Sequence, residues 1–445
     1  MSTTQEATDR DACSLSDGTR LHDLFDLERR QLSARVFSDP EIYELEMARI
    51  FGRSWLFVGF ESEIPETGDY VVRPMGGDSV IVTRGKDGAI SILLNRCAHR
   101  GVQLCVTDCG SANRLHCPYH GWTYGLDGRL LAIPSQRYWI GGKKSEYGLR
   151  SARVATRGGL IFGTWQQDMP DFETYLGDFA FYFDSIFCAV DKNLVAIGPP
   201  QRWALPFDWK IGTENSLGDG YHLQATHKSL ADIGMLPQLA QTLEGIIGAD
   251  PRWGHGFLAP MAPERPSLEA ALHWLPATVL SEIDRHLSPE QLTLLRNGTA
   301  TNIATIFPNT TWSMAPGMFF FVRTWQPVAP GQIEIWTWTL SHPDASEEQK
   351  RARDRGLNLT FGPTGMFGQD DLVVFSRGQR GARGTVGSRE FMNYGYSNGA
   401  PDKRGYLSDD GEWPGPGDVW IGFPGDDQIW NFYLRWLHLM TGGDL

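Results

Sequence analysis

Residues 97–120 read CAHRGVQLCVTDCGSANRLHCPYH, with four cysteines and three histidines in one short segment. Within it, Cys97 and His99 form C-x-H, and Cys117 and His120 form C-x-x-H after an interval of 17 residues. Four such donors in two clusters can close a tetrahedral zinc site or hold an iron–sulfur cluster. Zinc fingers usually group Cys with Cys and His with His, whereas each half here offers one of each. A binuclear cluster with two thiolates on one iron and two imidazoles on the other needs that division, one Cys and one His from each of two opposed loops. Gly101 and Gly121 follow the two halves closely, as tight loops around cluster sulfurs require, and Pro118 stiffens the second loop. Cys105, Cys109 and His116 fall outside this spacing and read as structural.

Moving outward, four of the six cysteines lie in this one segment of a 445-residue chain, not spread as a secreted disulfide framework would be. That favours a reducing compartment and a cytoplasmic location. The N-terminus, MSTTQEATDRDACSLSDG, is polar and has no apolar core of the kind a signal peptide needs. No window approaches about 18 uninterrupted apolar residues, so no membrane span is expected. A net charge of -13 disfavours any broad nucleic-acid or anionic-membrane footprint, because both depend on clustered Lys and Arg.

At 41% hydrophobic, the chain is long enough for two domains. The first twenty or so residues read as a disordered tail. SDPEIYELEMARIF then fits a helix, with Ser38 or Asp39 as N-cap, Pro40 in the first turn and Ile42, Leu45, Ile50 and Phe51 along one side. From Gly68 to about Gly163, short β-branched runs (DYVVRPM, SVIVTRG, AISILLN, GGLIFGTW) alternate with turn residues, as in an all-β module. The rest mixes strands (NTTWSMAP, MFFFVRTWQPV, IEIWTWTLS) with helical stretches near 170–190, 215–245, 267–297, 345–378 and 428–441, an α+β pattern. The Gly/Pro-rich segment 398–426 reads as surface loop. The domains expected are 1–53, 54–168 and 169–445.

A second constellation is 214-ENSLGDGYHLQATH-227. On a regular helix Asp219 and His222, three apart, would share a face, while His227 would be rotated about 140° from His222. One ion cannot meet both imidazoles on an unbroken helix, so a break or widened turn is expected near 223–226. The H-E-x-x-H of zinc proteases is absent. Two histidines and one carboxylate make the facial triad of non-haem Fe(II) enzymes, with positions open for O₂. The carboxylate candidate is in 366-MFGQDDLVVF-375. Periodicity leaves Asp370 and Asp371 both open, since Phe367, Asp371 and Phe375 share one apolar stripe and Met366, Asp370 and Val374 another. The remaining histidines (His22, His255, His273, His286, His342, His438) read as hydrogen-bonded structural groups.

The stretches CAHRG and CPYHGW resemble the Rieske [2Fe–2S] domain in its oxygenase form. ENSLGDGYHLQATH followed far downstream by QDD resembles the catalytic domain of aromatic-ring-hydroxylating dioxygenase large subunits, and the similarity runs from about residue 30 to the C-terminus. The resemblance implies an α+β fold class: an all-β Rieske domain plus a catalytic domain whose antiparallel sheet is covered by helices, helix-grip or START-like. It implies a [2Fe–2S] cluster on Cys97, His99, Cys117 and His120 and a mononuclear Fe(II) on His222, His227 and, of the two aspartates, Asp371. High-potential Rieske proteins brace the cluster with a disulfide for which Cys105 here lacks a partner, Tyr119 standing in its place. That departure implies a lower-potential cluster. In the family, electrons cross between neighbouring subunits of a head-to-tail trimer, and Asp219 resembles the bridging aspartate between His222 and His120 of the next subunit.

By the same resemblance the substrate pocket draws on Asn215, Ser216, Leu223, Trp312 and Phe367, with Phe320 and Phe321 as further candidates. These are largely apolar groups, which favours cis-dihydroxylation of a hydrophobic mono- or polycyclic arene. An aromatic carboxylate is the alternative, paired with Arg323 or another basic residue. No Rossmann G-x-G-x-x-G and no plant-type ferredoxin cysteine run is present, so an external ferredoxin and reductase, with NAD(P)H as ultimate donor, are implied. A small β subunit (α3β3) or a homotrimer is the expected assembly. The rivals are a monooxygenase or demethylase using the same centres, and a non-catalytic Rieske electron carrier, which would need no mononuclear iron.

Overall fold

The computed structural model describes residues 13–234, 244–260, 267–300, 303–315, 318–408 and 411–443. The chain divides into two compact units, one of residues 51–171 and one of residues 1–50 with 172–445, where the sequence places boundaries at 53/54 and 168/169. Of the expected N-terminal tail, residues 1–12 lie outside the described residues. Residues 13–24 are ordered: Ser14 bridges to Arg20 and a 3₁₀ turn follows at Leu21–Leu24, with Leu21 and Leu24 buried.

Unit 51–171 is all β. Its strands are β1 (Leu56–Phe60), β2 (Asp69–Met75), β3 (Asp78–Arg84), β4 (Ile90–Leu94), β5 (Cys109–Ser111), β6 (Leu115–His116), β7 (Thr123–Tyr124), β8 (Leu130–Ala132), β9 (Arg153–Arg157) and β10 (Leu160–Thr164). They make three antiparallel sheets in the orders β4-β3-β2-β5, β8-β7-β6 and β9-β10-β1. Val80, Ile81 and Val82 are all fully buried, so β3 is covered on both faces. Ile81, Leu93, Trp122, Tyr124 and Leu149 belong to one apolar cluster, which also takes in Cys97 and Cys117. The two loops bearing the cysteines and histidines are therefore anchored at their cysteines in a packed core.

In the second unit, helix α1 (Pro40–Glu46) starts as expected, with Asp39 accepting from the Glu41 amide at 2.8 Å and Pro40 at the first position. A long antiparallel sheet forms the body of this unit. Its strands are β11 (Val195–Ala196), β12 (Gln201–Leu205), β13 (Gly245–Asp250), β14 (His255–Pro260), β15 (Ile303–Ile306), β16 (Thr310–Ala315), β17 (Phe319–Ala329), β18 (Gln332–Ser341) and β19 (Asp418–Gly422). The order is β11-β18-β17-β16-β15-β14-β13-β19, with β12 also on β18. Strand β19 pairs with β13 and corrects the expectation that all of 398–426 is loop.

Helices cover both faces of this sheet. Helix α2 (Ala180–Phe187) sets Phe183 and Phe187 against Trp312. On the other face, α3 (Trp209–Ser216) brings Gly212 so close to Trp325 that a Cβ there would lie 2.3 Å from the indole. Helix α4 (Leu223–Thr226) is a single turn, and helix α5 (Glu347–Thr360) packs Leu357 on Phe319 and Phe321. Helix α6 (Met366–Arg383) follows, and Phe375 meets Phe207 there. The C-terminal helix α7 (Asp427–Met440) is buried along most of its length. One ionic knot sits in this core: Lys210 Nζ lies 2.6 Å from Glu46 Oε1 and 2.7 Å from Asp208 Oδ1, all buried. Trp209 and Trp436 donate their indole N–H groups to Glu46 as well (2.9 and 2.7 Å).

Candidate active site

The two halves of the quoted segment fold into matching turns. In the first, the Cys97 amide donates to Val102 O (2.8 Å) and the Gly101 amide to Cys97 O (2.9 Å); in the second, Cys117 donates to Trp122 O (2.8 Å) and Gly121 to Cys117 O (3.0 Å). Both glycines have positive φ, 75° and 70°, which closes each turn without a Cβ clash. The turns bring the His99 and His120 rings to 4.7 Å between centroids, and Trp122 stacks on His99 at 4.9 Å. The Tyr124 hydroxyl lies 3.3 Å from Cys97 Sγ and accepts from the Ala98 amide at 3.1 Å. Burial pushes the Cys97 thiol up.

The unmet atoms identify what these turns can hold. Both histidine Nδ1 atoms are buried without a hydrogen-bond partner, and Cys97 and Cys117 are buried free thiols. Two buried thiols outside any disulfide and two imidazole nitrogens left unsatisfied by protein fit a cluster ligated by two Cys and two His. By contrast, His116 Nδ1 is engaged by Thr123 Oγ1 at 3.0 Å, Cys109 is exposed, and Cys105 is a buried free thiol facing no second cysteine.

The second constellation departs from the expected helix. Helix α3 ends at Ser216; Leu217–His222 form an irregular corner; α4 (Leu223–Thr226) is a single turn with His222 before it and His227 after it. The break is thus double and flanks 223–226, which is itself helical. Asp219 and His222 do meet, but through this corner: Nδ1 of His222 lies 3.5 Å from Asp219 Oδ2 and also contacts the Asp219 backbone oxygen. His227 Nδ1 lies 3.4 Å from Asp370 Oδ2. With both Nδ1 atoms occupied, the Nε2 atoms turn to Asp371 Oδ1, at 3.6 Å from His222 and 3.2 Å from His227. Ligand atoms of His222, His227 and Asp371 all lie within 4.8 Å of one another. Asp371 Oδ1 is buried with no hydrogen-bond partner, so two imidazoles and one orphaned carboxylate oxygen fit a single divalent ion.

This triad opens into a cavity of about 330 Å³. Asn215, Ser216, Leu223 and Phe367 line it, as do Phe321 and Arg323. Trp312 and Phe320 do not. In β16 and β17, Thr311, Ser313, Phe319, Phe321, Arg323 and Trp325 face the cavity, and alternation sends Trp312 to the opposite face against Phe179, Phe183 and Phe187. Phe320 likewise packs on Phe187 and Trp274. Both faces of these strands are buried, so polarity could not mark the cavity side. Sequence reasoning also missed Trp203 and Leu258, from strands β12 and β14, which it did not recognise.

Behind the triad, Glu214 accepts from Tyr394 (3.0 Å) and Tyr433 (2.5 Å), and burial pushes its carboxyl up to about 8 against those two hydrogen bonds. His255 is a structural histidine: Nε2 donates to Tyr175 O (2.8 Å), Nδ1 accepts from the Phe307 amide (2.9 Å), and burial lowers its pKa to about 3.

Comparison with known proteins places these features together. Residues 54–147 match the Rieske [2Fe-2S] domain model and residues 186–406 the ring hydroxylating alpha subunit (catalytic domain) model. The biphenyl 2,3-dioxygenase alpha subunit of Rhodococcus jostii (strain RHA1) is 33% identical, over 95% of this chain and 91% of that protein. The N,N-dimethyl phenylurea N-demethylase alpha subunit of Sphingobium sp. (strain YBL2) is 32% identical over 95% of both. The crystal structure of naphthalene 1,2-dioxygenase from Rhodococcus sp. superposes with a TM-score of 0.84 at 33% identity, covering all of both chains. A Rieske [2Fe–2S] cluster and a mononuclear iron are the cofactors these two domains carry. The chain belongs to the family of aromatic-ring-hydroxylating dioxygenase alpha subunits.

Proposed function

We propose that this chain is the catalytic subunit of a terminal oxygenase that cis-dihydroxylates a hydrophobic mono- or bicyclic arene. The observation that carries the reading is the His222–His227–Asp371 triad opening into a cavity lined mainly by apolar side chains. A cavity of about 330 Å³ lies at the lower end of the usual range for small-molecule sites, roughly 300–1,000 Å³. Iron held there supplies O₂ activation. The chain's own residues do the rest: His222, His227 and Asp371 hold the metal on one wall, the aromatic lining excludes water and orients a flat ring, and Asn215, 3.3 Å from the His222 ring nitrogens, steadies that imidazole.

Asp219 is the bridge between the two metal sites in this reading, orienting imidazoles and coupling their protonation. It contacts His222, and its Oδ1 is buried without a partner, leaving one carboxylate oxygen for a second imidazole N–H. That oxygen suits His120 of a neighbouring subunit in a trimer, with or without a small β subunit. Cys97, His99, Cys117 and His120 hold the cluster, fed by a ferredoxin and its reductase. The six cysteines form no disulfide among the described residues, which suits a reducing cytoplasm.

The 32% identity to a phenylurea N-demethylase subunit favours, as a second reading, oxidative removal of an N-methyl group at the same site. One experiment separates them: the purified oxygenase, with ferredoxin, reductase, NADH and ¹⁸O₂, is offered naphthalene, biphenyl, benzoate and an N,N-dimethyl phenylurea. A cis-dihydrodiol carrying both labelled atoms is expected from the hydrocarbons. Formaldehyde release from the phenylurea alone would replace the dihydroxylation reading.

A further inference from the structure

The cavity wall contains a cation that no carboxylate pairs with among the described residues. Arg323, in β17, is 5% exposed. Its guanidinium carbon lies 4.7 Å from the Phe321 ring centre, 5.2 Å from that of Trp325 and 5.5 Å from that of Trp203. Burial drives its pKa down to about 9, and Asp371 is the one charge opposing that shift. A guanidinium kept in such a place is held by what it donates to. Its Nε–H donates to Thr337 Oγ1 in β18 at 2.8 Å, and an Nη2–H donates to the backbone oxygen of Phe361 at 2.9 Å.

Phe361 is the C-cap of α5, where backbone carbonyls lack helical partners and a cation is favourable. The same residue leads to the metal ligands. Its ring stacks on Phe367 at 5.3 Å, and Phe367 packs against His227 at 5.0 Å, one helical turn before Asp371 on α6. Four residues after Phe361, Gly365 caps α6, and a Cβ there would lie 2.2 Å from Thr360 O, so the α5–α6 corner has little slack.

We propose that Arg323 is a positioning residue for the mononuclear metal site: by gripping the Phe361 carbonyl from the sheet, it fixes the α5–α6 corner and so the place of Asp371 relative to His222 and His227. The inference rests on reading that triad as the iron site. Lysine cannot substitute, because one ammonium on a flexible stem does not reach two acceptors in the fixed geometry of the fork.

The test uses full-length protein with its cluster intact and the mononuclear site emptied, titrated with Co(II) and followed by the visible d–d bands, which report coordination geometry. Wild type is expected to bind one Co(II). Arg323→Met and Arg323→Lys are expected to bind it about tenfold or more weakly, the usual scale for losing a group that orients a ligand, and with altered bands. Thr337→Val, which removes one acceptor and little volume, should shift affinity and bands in the same direction and serves if the Arg323 variants do not fold. A purely structural role would lower unfolding midpoints and leave both readouts untouched; wild-type affinity and bands in a folded Arg323→Met or Thr337→Val protein would overturn the proposal. If wild type itself bound no Co(II), the metal-site reading would fail, and this inference with it.

Discussion

Asp370 and Asp371 are neighbours of identical chemistry in different surroundings. Asp371 has its Oδ1 buried and unpartnered, facing both histidine Nε2 atoms, whereas the Asp370 side chain is about a third exposed (32%) and reaches His227 Nδ1. Asp371→Asn is therefore expected to lose the single iron and leave the cluster, while Asp370→Asn keeps it, since an amide oxygen still accepts from His227. Iron content beside the cluster's visible spectrum checks both, and equal iron in the two variants would undo the assignment. The pair was undecidable from periodicity because an apolar stripe can be drawn through either. Burial of Phe367, Asp371 and Phe375, against exposed Val374, decides which stripe faces in. Glu214 gives a second expectation. Its carboxyl is held neutral in the fold with a pKa of about 8, against an ordinary value of 4.5. The unfolded chain ionises first, so this stabilisation is complete below about 4.5 and is lost as pH rises towards 8, at up to about 1.4 kcal/mol per pH unit. Glu214→Gln, neutral throughout, should gain stability relative to wild type between pH 5 and pH 8. A constant difference in melting midpoint across that range would show that Glu214 is ionised in the fold.

His227 lies five positions beyond His222, and on one continuous helix that spacing would keep both imidazoles from meeting a single ion. The corner that replaces it depends on Gly218, with φ +115° and no room for a side chain: a Cβ would lie 2.5 Å from Leu258 Cβ. Gly218→Ala should cost about 1–3 kcal/mol and displace Asp219 and His222, seen as a lower urea midpoint and reduced iron content. Gly378, exposed within α6 with nothing near its Cβ position, is the control. Gly378→Ala should stabilise by about 0.5–1 kcal/mol and leave iron unchanged; the same sign for both variants would show that the Gly218 corner is not strained. Elements with a local signature were legible: α1 through Asp39 and Pro40, and β16–β18 through their β-branched and aromatic runs. Strands β13 (GIIGAD), β14 (HGFLAP) and β19 (DVWIG) were not, being short and glycine-containing. β13 is also buried at every position, so neither alternation nor composition marks it.

Across the whole molecule, the two proposed ligand sets fall in different compact units. Cys97, His99, Cys117 and His120 all belong to unit 51–171, and His222, His227 and Asp371 to the other. That division follows from the sequence order of the motifs: both Cys/His pairs precede residue 121, while His222, His227 and the distant Asp371 all follow residue 171. The rest of the cavity wall was not legible in the sequence, because residues such as Trp203, Leu258 and Phe361 converge on it only through sheet pairing and helix packing. No helix among the described residues is long and apolar enough to cross a membrane. The two metal sites should also part chemically. On the proposed reading the cluster has four protein ligands, with Cys97 and Cys117 in a packed core, whereas the mononuclear site has three side chains at the edge of an open cavity. Ligand count and access both favour release from the second site. Dialysis of the reduced enzyme against a mild Fe(II) chelator should remove one iron of roughly three per chain, with sulfide content and the visible spectrum unchanged. Turnover of an arene should fall to background and return with Fe(II) but not with Zn(II), which occupies the triad without redox chemistry. Bleaching of the cluster in step with activity would mean that the two sites are not independent. Full activity in protein stripped to two irons would mean that the triad is not where O₂ is used.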